Sequence, residues 1–495
     1  MILLALLLVP FAAGIISALA RVRRVMEFAN LAAFSITFVL SLVVAGQVLN
    51  AGSLSLWGGF LYADHLSALV CLLTASVALV CAAYAIGYLR EDERSGLFDG
   101  NGVSSIAKLR KYYSLTPLFV VSMLLVALAN NLGVMWVAIE GTTLASVFLV
   151  TFYGKVTSLE AAWKYAIIGG VGLSMALFGT VLTYYAGHQL PGSDTLAGLN
   201  WSMLAAHAAQ LDKTTMRLAF ILVLLGYGTK AGLAPMHTWK PDVYSEAPVP
   251  AASILSSAML NCALYGLIRF YVLTSRCLGP EFPGGLLLLF GMVSMGISVP
   301  FVLVQKNFRR LLAYHTIDHA GIMVTALGIG GKLGTLALML HMTYHTVAKS
   351  LLFLCAGNVC QQFQTDLFDK VKGGVMRVMP VTGIVFLMAT LAIVGTPPFS
   401  LFQSEFLILR AAFAAGHYVP TVLFALFGTG IFAGALLHVG GLVLGTGTEQ
   451  PPAPLHPWRD SSILALAAVL VIIAFWLPAP LLELIRGAAG VVTGG

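Results

Sequence analysis

Glu140, Lys230, Lys349 and Glu405 each lie inside a long apolar segment built mostly of Leu, Val, Ala, Gly and Phe. A charge at the centre of a bilayer costs roughly 2.5–3.5 kcal/mol on insertion scales. A chain that keeps several such charges uses them, and the chemistry they suit is ion or proton movement through a membrane. His341, His345 and Lys349 recur at i, i+4 and i+8. In a helix that spacing drifts only about 80° and rises about 12 Å, so the three share one face. The ladder is too long for one direct hydrogen bond and suits a water-assisted relay. Histidine titrates near neutrality and can pass protons. His-x3-His is also a metal-ligand spacing, but no convincing carboxylate completes it, and no metal is expected.

The elements that position these groups must be membrane helices. The chain has 495 residues, 59% hydrophobic and only 9% charged. A soluble domain carries about 25% charge. The net charge of +7 needs no nucleic-acid partner, because Lys and Arg gather in the connections between apolar runs. The six cysteines form no CxxC pair and read as small buried hydrophobes. They offer no iron–sulfur or zinc framework. No Gly-rich phosphate loop precedes a helix either, so no cofactor is expected on this chain. Residues 1–20 lack a basic start and are followed by Arg21, Arg23 and Arg24, which reads as a retained first span.

A span needs about 20 apolar residues. Fourteen are expected: 2–20, 27–49, 62–88, 115–131, 133–153, 161–186, 217–236, 249–272, 284–304, 311–330, 334–358, 379–413 with a break, 420–446 and 462–482. One set of connections holds most of the lysines and arginines, among them Arg21, Arg90, Lys108, Lys155, Lys240, Arg309 and Lys372. The other holds Lys213, Arg217, Arg276, Lys332 and Arg486. The positive-inside rule makes the first side cytoplasmic, with both termini outside. The expected setting is a prokaryotic plasma membrane.

Two spans are interrupted by Gly and Pro: one from Gly226 to Pro235, the other from Gly395 to Pro398, shortly before Glu405. Such breaks are tolerated where backbone lines a cavity or packs in protein. They fall in the seventh and twelfth spans, five apart. Five-helix units would therefore each carry a broken helix at the same place, in opposite orientations, as in inverted-repeat transporters. The expected fold is an all-α bundle divided as 1–114 (three spans and a loop), 115–274 (spans 4–8), 284–446 (spans 9–13) and 447–495 (a final span).

The stretches "MWVAIEGTTLASVFLV", "GYGTKAGLAPMHTWKPDVYSEAPVPAASILS", "HMTYHTVAKSLLFLCAGNV", "KNFRRLLAYHTIDHAGIM" and "GTPPFSLFQSEF" carry Glu140, Lys230, Lys349, His319 and Glu405. Together they resemble the antiporter-like membrane subunits of respiratory complex I, Mrp antiporters and membrane-bound hydrogenases. "SLEAAWKY", "LNCALYG" and "HTVAKSLLF" look most like the F component of hydrogenase-4 and formate hydrogenlyase-type complexes. Two departures stand out. Asn261 occupies a place where some quinone-reductase relatives have lysine, and Lys240 one where an apolar residue usually follows the Trp.

The resemblance implies an ion pair of Glu140 with Lys230. Burial favours a neutral amine and a nearby carboxylate favours an ammonium, so moving the acid would release a proton. It also makes Glu405 the terminal carboxylate of a second half-channel. His319 is a candidate link between the halves. Lys164 either joins the relay or snorkels to the surface. His237, Asp242 and Glu246 either gate cytoplasmic access or serve loop structure and subunit contact. Asp64 and His65 begin the third span, where capping or an interface role is expected. The chain reads as a proton-translocating module whose partners are other membrane subunits, a peripheral redox arm and lipid. Two readings stay open beside it: an Mrp-type sodium/proton antiporter subunit, and a structural anchor for a peripheral enzyme.

Overall fold

In hydrocarbon every backbone N–H and C=O must be satisfied inside its own segment, so the apolar runs fold as helices. The computed structural model describes residues 1–98, 104–190, 196–371, 374–445 and 452–494. The boundary expected at 446–447 and the expected loop charge Lys372 lie outside the described residues. The first helices are α1 (Ile2–Leu19), α2 (Arg23–Ala51), α3 (His65–Arg94), α4 (Ser105–Leu128), α5 (Leu132–Val150) and α6 (Val156–Ala186). A short α7 (Trp201–Ala206) precedes α8 (Lys213–Ala231), α9 (Trp239–Glu246), α10 (Val249–Ser256) and α11 (Ala258–Leu278). The second half holds α12 (Glu281–Val304), α13 (Phe308–Ile329) and α14 (Gly331–Phe363), then the short turns α15 (Phe368–Val371) and α16 (Val375–Val378). It closes with α17 (Pro380–Ile393), α18 (Ser400–Ala414), α19 (Tyr418–Leu444), α20 (Pro457–Phe475) and α21 (Ala479–Thr493).

Among the described residues, ten helical segments are long and apolar enough to cross a membrane. Helices α8, α13 and α14, which carry buried lysine, aspartate and histidine, are outside that set, as are α17 and α18. The bundle is arranged around α10 and α11, which together are buried on all sides. Helix α4 packs on α5, and α6 on α8; further along the chain α12 packs on α13, and α14 on α17 and α18. The α6–α8 seam is backbone-close. A Cβ at Gly226 would lie 2.5 Å from the Cβ of Ala176. Small residues of this kind let membrane helices approach and pack tightly.

Several boundaries differ from the sequence expectation. The third span starts at His65 rather than 62, because a hairpin of β1 (Leu54–Leu56) and β2 (Leu61–Ala63) precedes it. Helix α4 begins at Ser105, so the second part of the connection expected over 89–114 is helix. The eighth span is kinked at Ser257 between α10 and α11. The last span stops at Phe475, and after Pro478 a separate helix, α21, turns back onto α3 and α14. Three charges assigned to cytoplasmic connections are inside the protein: Lys240 is fully buried, and Lys108 and Arg309 are each 7% exposed. All three donate to backbone carbonyls: Lys108 to Phe98 O, Lys240 to Ala231 O, and Arg309 to Tyr244 O and Ala247 O.

Asp64 does more than cap. Its Oδ1 accepts from the Ser67 amide at 3.0 Å at the start of α3. Its carboxylate also takes both ends of the Arg269 guanidinium, at 2.7 and 2.8 Å. Arg269 lies over the Trp201 ring, 4.0 Å from its centroid. This buried clamp ties α3 to α11 and to the 196–211 connection. Removing one partner of a buried pair costs about 3–5 kcal/mol, while apolar replacement of both is often neutral. Arg269→Met is therefore expected to cut the yield of assembled, detergent-stable complex sharply, and Asp64→Leu with Arg269→Met to restore much of it. Thermal unfolding of the purified complex measures both; a stable Arg269→Met single variant would remove the clamp from this role.

Candidate functional site

Lys230 sits in the last turn of α8, just before Gly232 takes the left-handed conformation that ends the helix. Its side chain is 1% exposed. The ammonium donates to Thr143 Oγ1 at 2.8 Å and to the Tyr165 hydroxyl at 2.7 Å. It also lies 4.9 Å from the Tyr165 ring centroid. Tyr165 is shared in turn with Ser146 at 2.9 Å. Helix α5 supplies Thr143 and Ser146, and α6 supplies Tyr165.

The ion pair of Glu140 with Lys230 is not closed. No oxygen of Glu140 lies within 4.0 Å of the ammonium, and Glu140 Oε2 is buried without a hydrogen-bond partner among the described residues. The carboxylate still acts on Lys230 through its charge. The lysine is thus held by neutral hydroxyls, with its acid nearby but not bonded to it. The other hydroxyls near Glu140 are committed: Thr142 donates to Ile139 O at 2.6 Å, and Ser146 to Thr142 O at 2.6 Å.

In the second half, α13 inserts a histidine into the ladder on α14. His319 Nδ1 is 2.9 Å from His341 Nε2, and His341 Nδ1 is 2.9 Å from Ser404 Oγ. The rings of His319 and His345 are 5.0 Å apart between centroids. A side chain from the neighbouring helix therefore bonds the His341 end of the i, i+4, i+8 ladder and lies beside the His345 ring without a hydrogen bond to it. Glu405 on α18 closes the line: one ligand-type atom each of His319, His341 and Glu405 lie within 4.8 Å of one another. The carboxylate that the sequence did not offer to these histidines is therefore present in space. The His319–His341 contact spends one nitrogen of each ring on a shared proton, which favours a relay over metal ligation. Glu405 reaches this place because Gly395 has no side chain; a Cβ there would overlap Glu405 Oε2.

Around Lys349 several buried atoms have no partner among the described residues: Lys349 Nζ, both ring nitrogens of His345, His319 Nε2, Asp318 Oδ1 and His315 Nδ1. Orphaned buried polar atoms at one place are what bridging water satisfies. A line of water there would join Lys349 to the histidines.

The remaining expected residues separate. Lys164 stays at the surface, 47% exposed, paired with Glu160 at 2.7 Å and Asp242 at 3.1 Å. Asp242 also holds Arg310 at 2.6 Å. Of the two alternatives for Lys164, its position agrees with the surface one. Glu246 lines two polar cavities of about 270 and 420 Å³, the second shared with Lys164, Asp242 and Arg310. His237 is 7% exposed in the break between α8 and α9, apart from that cluster. Sequence reasoning missed Tyr165, Asp318 and His315. Tyr165 had one readable signal: it lies about 100° round the helix from Lys164, so if one faces out the other faces in.

Residues 129–433 match the family described as NADH:quinone oxidoreductase/Mrp antiporter, TM, and the chain belongs to that family. It is 37% identical over 387 residues to the hydrogenase-4 component F homolog of Methylacidiphilum infernorum, 78% of each chain. Its fold matches a chain of the archaeal membrane-bound sulfane sulfur reductase with a TM-score of 0.85 at 22% identity, covering 99% of this chain and 96% of that one. It matches a chain of respiratory complex I from Thermus thermophilus with a TM-score of 0.74 at 26% identity, covering 96% and 97%. The chain is a multi-span membrane subunit of the antiporter-like type.

Tyr165→Phe keeps the ring under Lys230 and removes the hydroxyl. A hydrogen bond to a charged group is worth about 1.5–3 kcal/mol. Proton transport by the assembled complex is expected to slow by roughly ten-fold or more, since about 1.4 kcal/mol is a factor of ten. Acidification measured in proteoliposomes checks this, and an unaltered rate would make the contact ornamental.

Proposed function

We propose that this chain carries protons across a prokaryotic plasma membrane as one subunit of a redox-driven complex of hydrogenase-4 or formate hydrogenlyase type. The redox centres lie in partner subunits, and a peripheral arm supplies the driving reaction. The observation that supports this most is the set of titratable groups that several helices bring inside the bundle. Lys230, Lys349, Asp318, His345, His319 and His341 are buried, and Glu405 is half-buried beside them. A structural anchor has no use for so many buried charges, each costly to keep.

In this reading Glu140 is the moving part. When it closes on Lys230, the lysine holds its proton; when it withdraws, the ammonium rests on Thr143 and Tyr165 and gives the proton up. Asp242, Glu246 and Lys164 form the mouth on the cytoplasmic side, with His237 between them and Lys230. Fourteen crossings in two inverted five-helix units, with both termini outside, fit the alternation of basic connections even after Lys108, Lys240 and Arg309 are removed from the count.

The Mrp-type alternative has the family description in its favour. Sodium needs several free oxygens around one cavity, by analogy with other hard cations. Beside Glu140 the Thr143 hydroxyl already receives the Lys230 ammonium, whose positive charge opposes a bound cation. This favours protons.

Lys230→Ala is expected to abolish acidification by proteoliposomes of the whole complex while leaving it assembled, and Glu140→Gln to impair it. Transport is expected to persist with contaminating sodium held in the micromolar range. Wild-type pumping by Lys230→Ala would refute the channel. A saturable sodium requirement with radiolabelled sodium uptake would establish the antiporter alternative instead.

A further inference from the structure

Between Lys230 and Lys349 lies a third buried lysine that neither half of the site uses. Lys240 is fully buried, and no carboxylate among the described residues pairs with it. It stands on α9, the short helix that follows the first break. Its ammonium is 5.9 Å from the ring centroids of both Trp239 and Tyr244. Those two rings face opposite halves of the axis. Trp239 stacks on Tyr165, the partner of Lys230, at 4.5 Å between centroids. Tyr244 meets Phe353 edge-on at 5.7 Å, and Phe353 is one turn along α14 from Lys349. The Lys240 ammonium also acts through its charge on Lys349 and His345.

The position is built into the break. A Cβ at Gly232 would overlap Lys240 Cε and lie 2.8 Å from its Nζ. Gly395 in the other broken span makes the corresponding notch, and Glu405 fills it. Each break thus has one left-handed glycine, at φ 75° and φ 68°. Each glycine's missing side chain admits a titratable group from the helix that follows: Lys240 after Gly232, and Glu405 after Gly395. The bond from Lys240 to Ala231 O helps finish α8 at its negative end. That end does not depend on it, since the amides of Gly232 and Leu233 already return to Thr229 O and Gly228 O. A buried lysine with no acid partner is the kind that exchanges its proton readily.

We propose that Lys240 is a proton-relay group of this chain, joining the Lys230 half of the axis to the Lys349 half. It takes a proton on the Trp239 side as ammonium, and returns to the neutral amine as the proton leaves toward Lys349. The proposal rests on the proton-carrying reading above.

The test uses the whole complex, purified with variant chains and reconstituted, with assembly checked first. Lys240→Gln keeps a donor for Ala231 O but cannot titrate. Lys240→His keeps a titrating group, and Lys240→Met fills the notch with a pliant apolar chain. Groups that transfer protons in this way contribute about 10²–10⁴-fold. Acidification per redox turnover is expected to fall at least ten-fold with Gln and with Met, and to recover several-fold from that level with His. Wild-type acidification with Gln or Met overturns the proposal, as does a His variant no better than Gln. Lys230→Ala in the same preparation separates the two readings. If Lys230→Ala is dead while Lys240→Gln or Lys240→Met pumps normally, only the relay role fails; if all pump normally, the proton channel fails with it.

Discussion

An ammonium group surrounded by hydrocarbon must be met by oxygen, and at Lys230 the oxygens come from Thr143 and Tyr165. Much of the first half of the bundle follows from bringing those two hydroxyls to one point. Tyr165 is on α6, and α6 can reach α8 only because Gly226 and Ala176 let the two backbones nearly touch. Thr143 is on α5, which packs on α6. Helix α8 ends at Gly232, so the ammonium sits at a helix C-terminus, where a positive charge is favoured by the backbone dipoles. A bulkier seam, or an unbroken helix, would take away the place where this charge is tolerable.

The helix breaks serve a second purpose beyond freeing backbone groups. An intact helix surrounds itself with its own side chains and leaves no hollow at its centre line. Stopping the helix at a left-handed glycine opens a pocket one methyl deep, and in both halves a titratable side chain occupies it. In the first half the occupant is a base and in the second an acid. The arrangement sets cationic groups at the Lys230 end and a carboxylate, Glu405, at the far end, with imidazoles between. In the proposed reading a proton moving along it would pass between groups of graded chemistry rather than along a uniform wire.

The chain makes some of this readable and hides the rest for physical reasons. Glu140, Lys230, Lys349 and Glu405 stand out because charge inside an apolar run is expensive wherever the run ends up. The common face of His341, His345 and Lys349 is readable because helical period alone decides it. The insertion of His319 between those rings is not, because it depends on how α13 crosses α14, a tertiary fact. Lys240 reads as a loop cation because it follows Pro, His and Trp, residues that mark a chain leaving the membrane. The break instead turns that stretch back into the bundle. Arg269 gives the same signal as the four leading charges, a cation in an apolar run, while its partner Asp64 reads only as a cap or an interface residue. The hairpin at 54–63 and the separate helix α21 merge with neighbouring apolar runs in the sequence; Pro478 is the available stop signal.

The preference for protons proposed above rests on the groups that surround Lys230 and the histidines. A hydroxyl that accepts from an ammonium has a positive charge beside its remaining lone pair, which opposes a metal ion there, whereas one that donates to a carbonyl keeps both lone pairs. Thr143 is of the first kind, and Thr142 and Ser146 are of the second. In the second half the contact between His319 and His341 is nitrogen to nitrogen, 2.9 Å apart. Two imidazoles at that distance must place one hydrogen between them, since two bare lone pairs or two N–H groups would repel. The same geometry lets the hydrogen pass from one ring to the other with little movement of heavy atoms. Sodium gains nothing from such a contact, whereas a proton needs nothing more than a way on to Ser404 and Glu405.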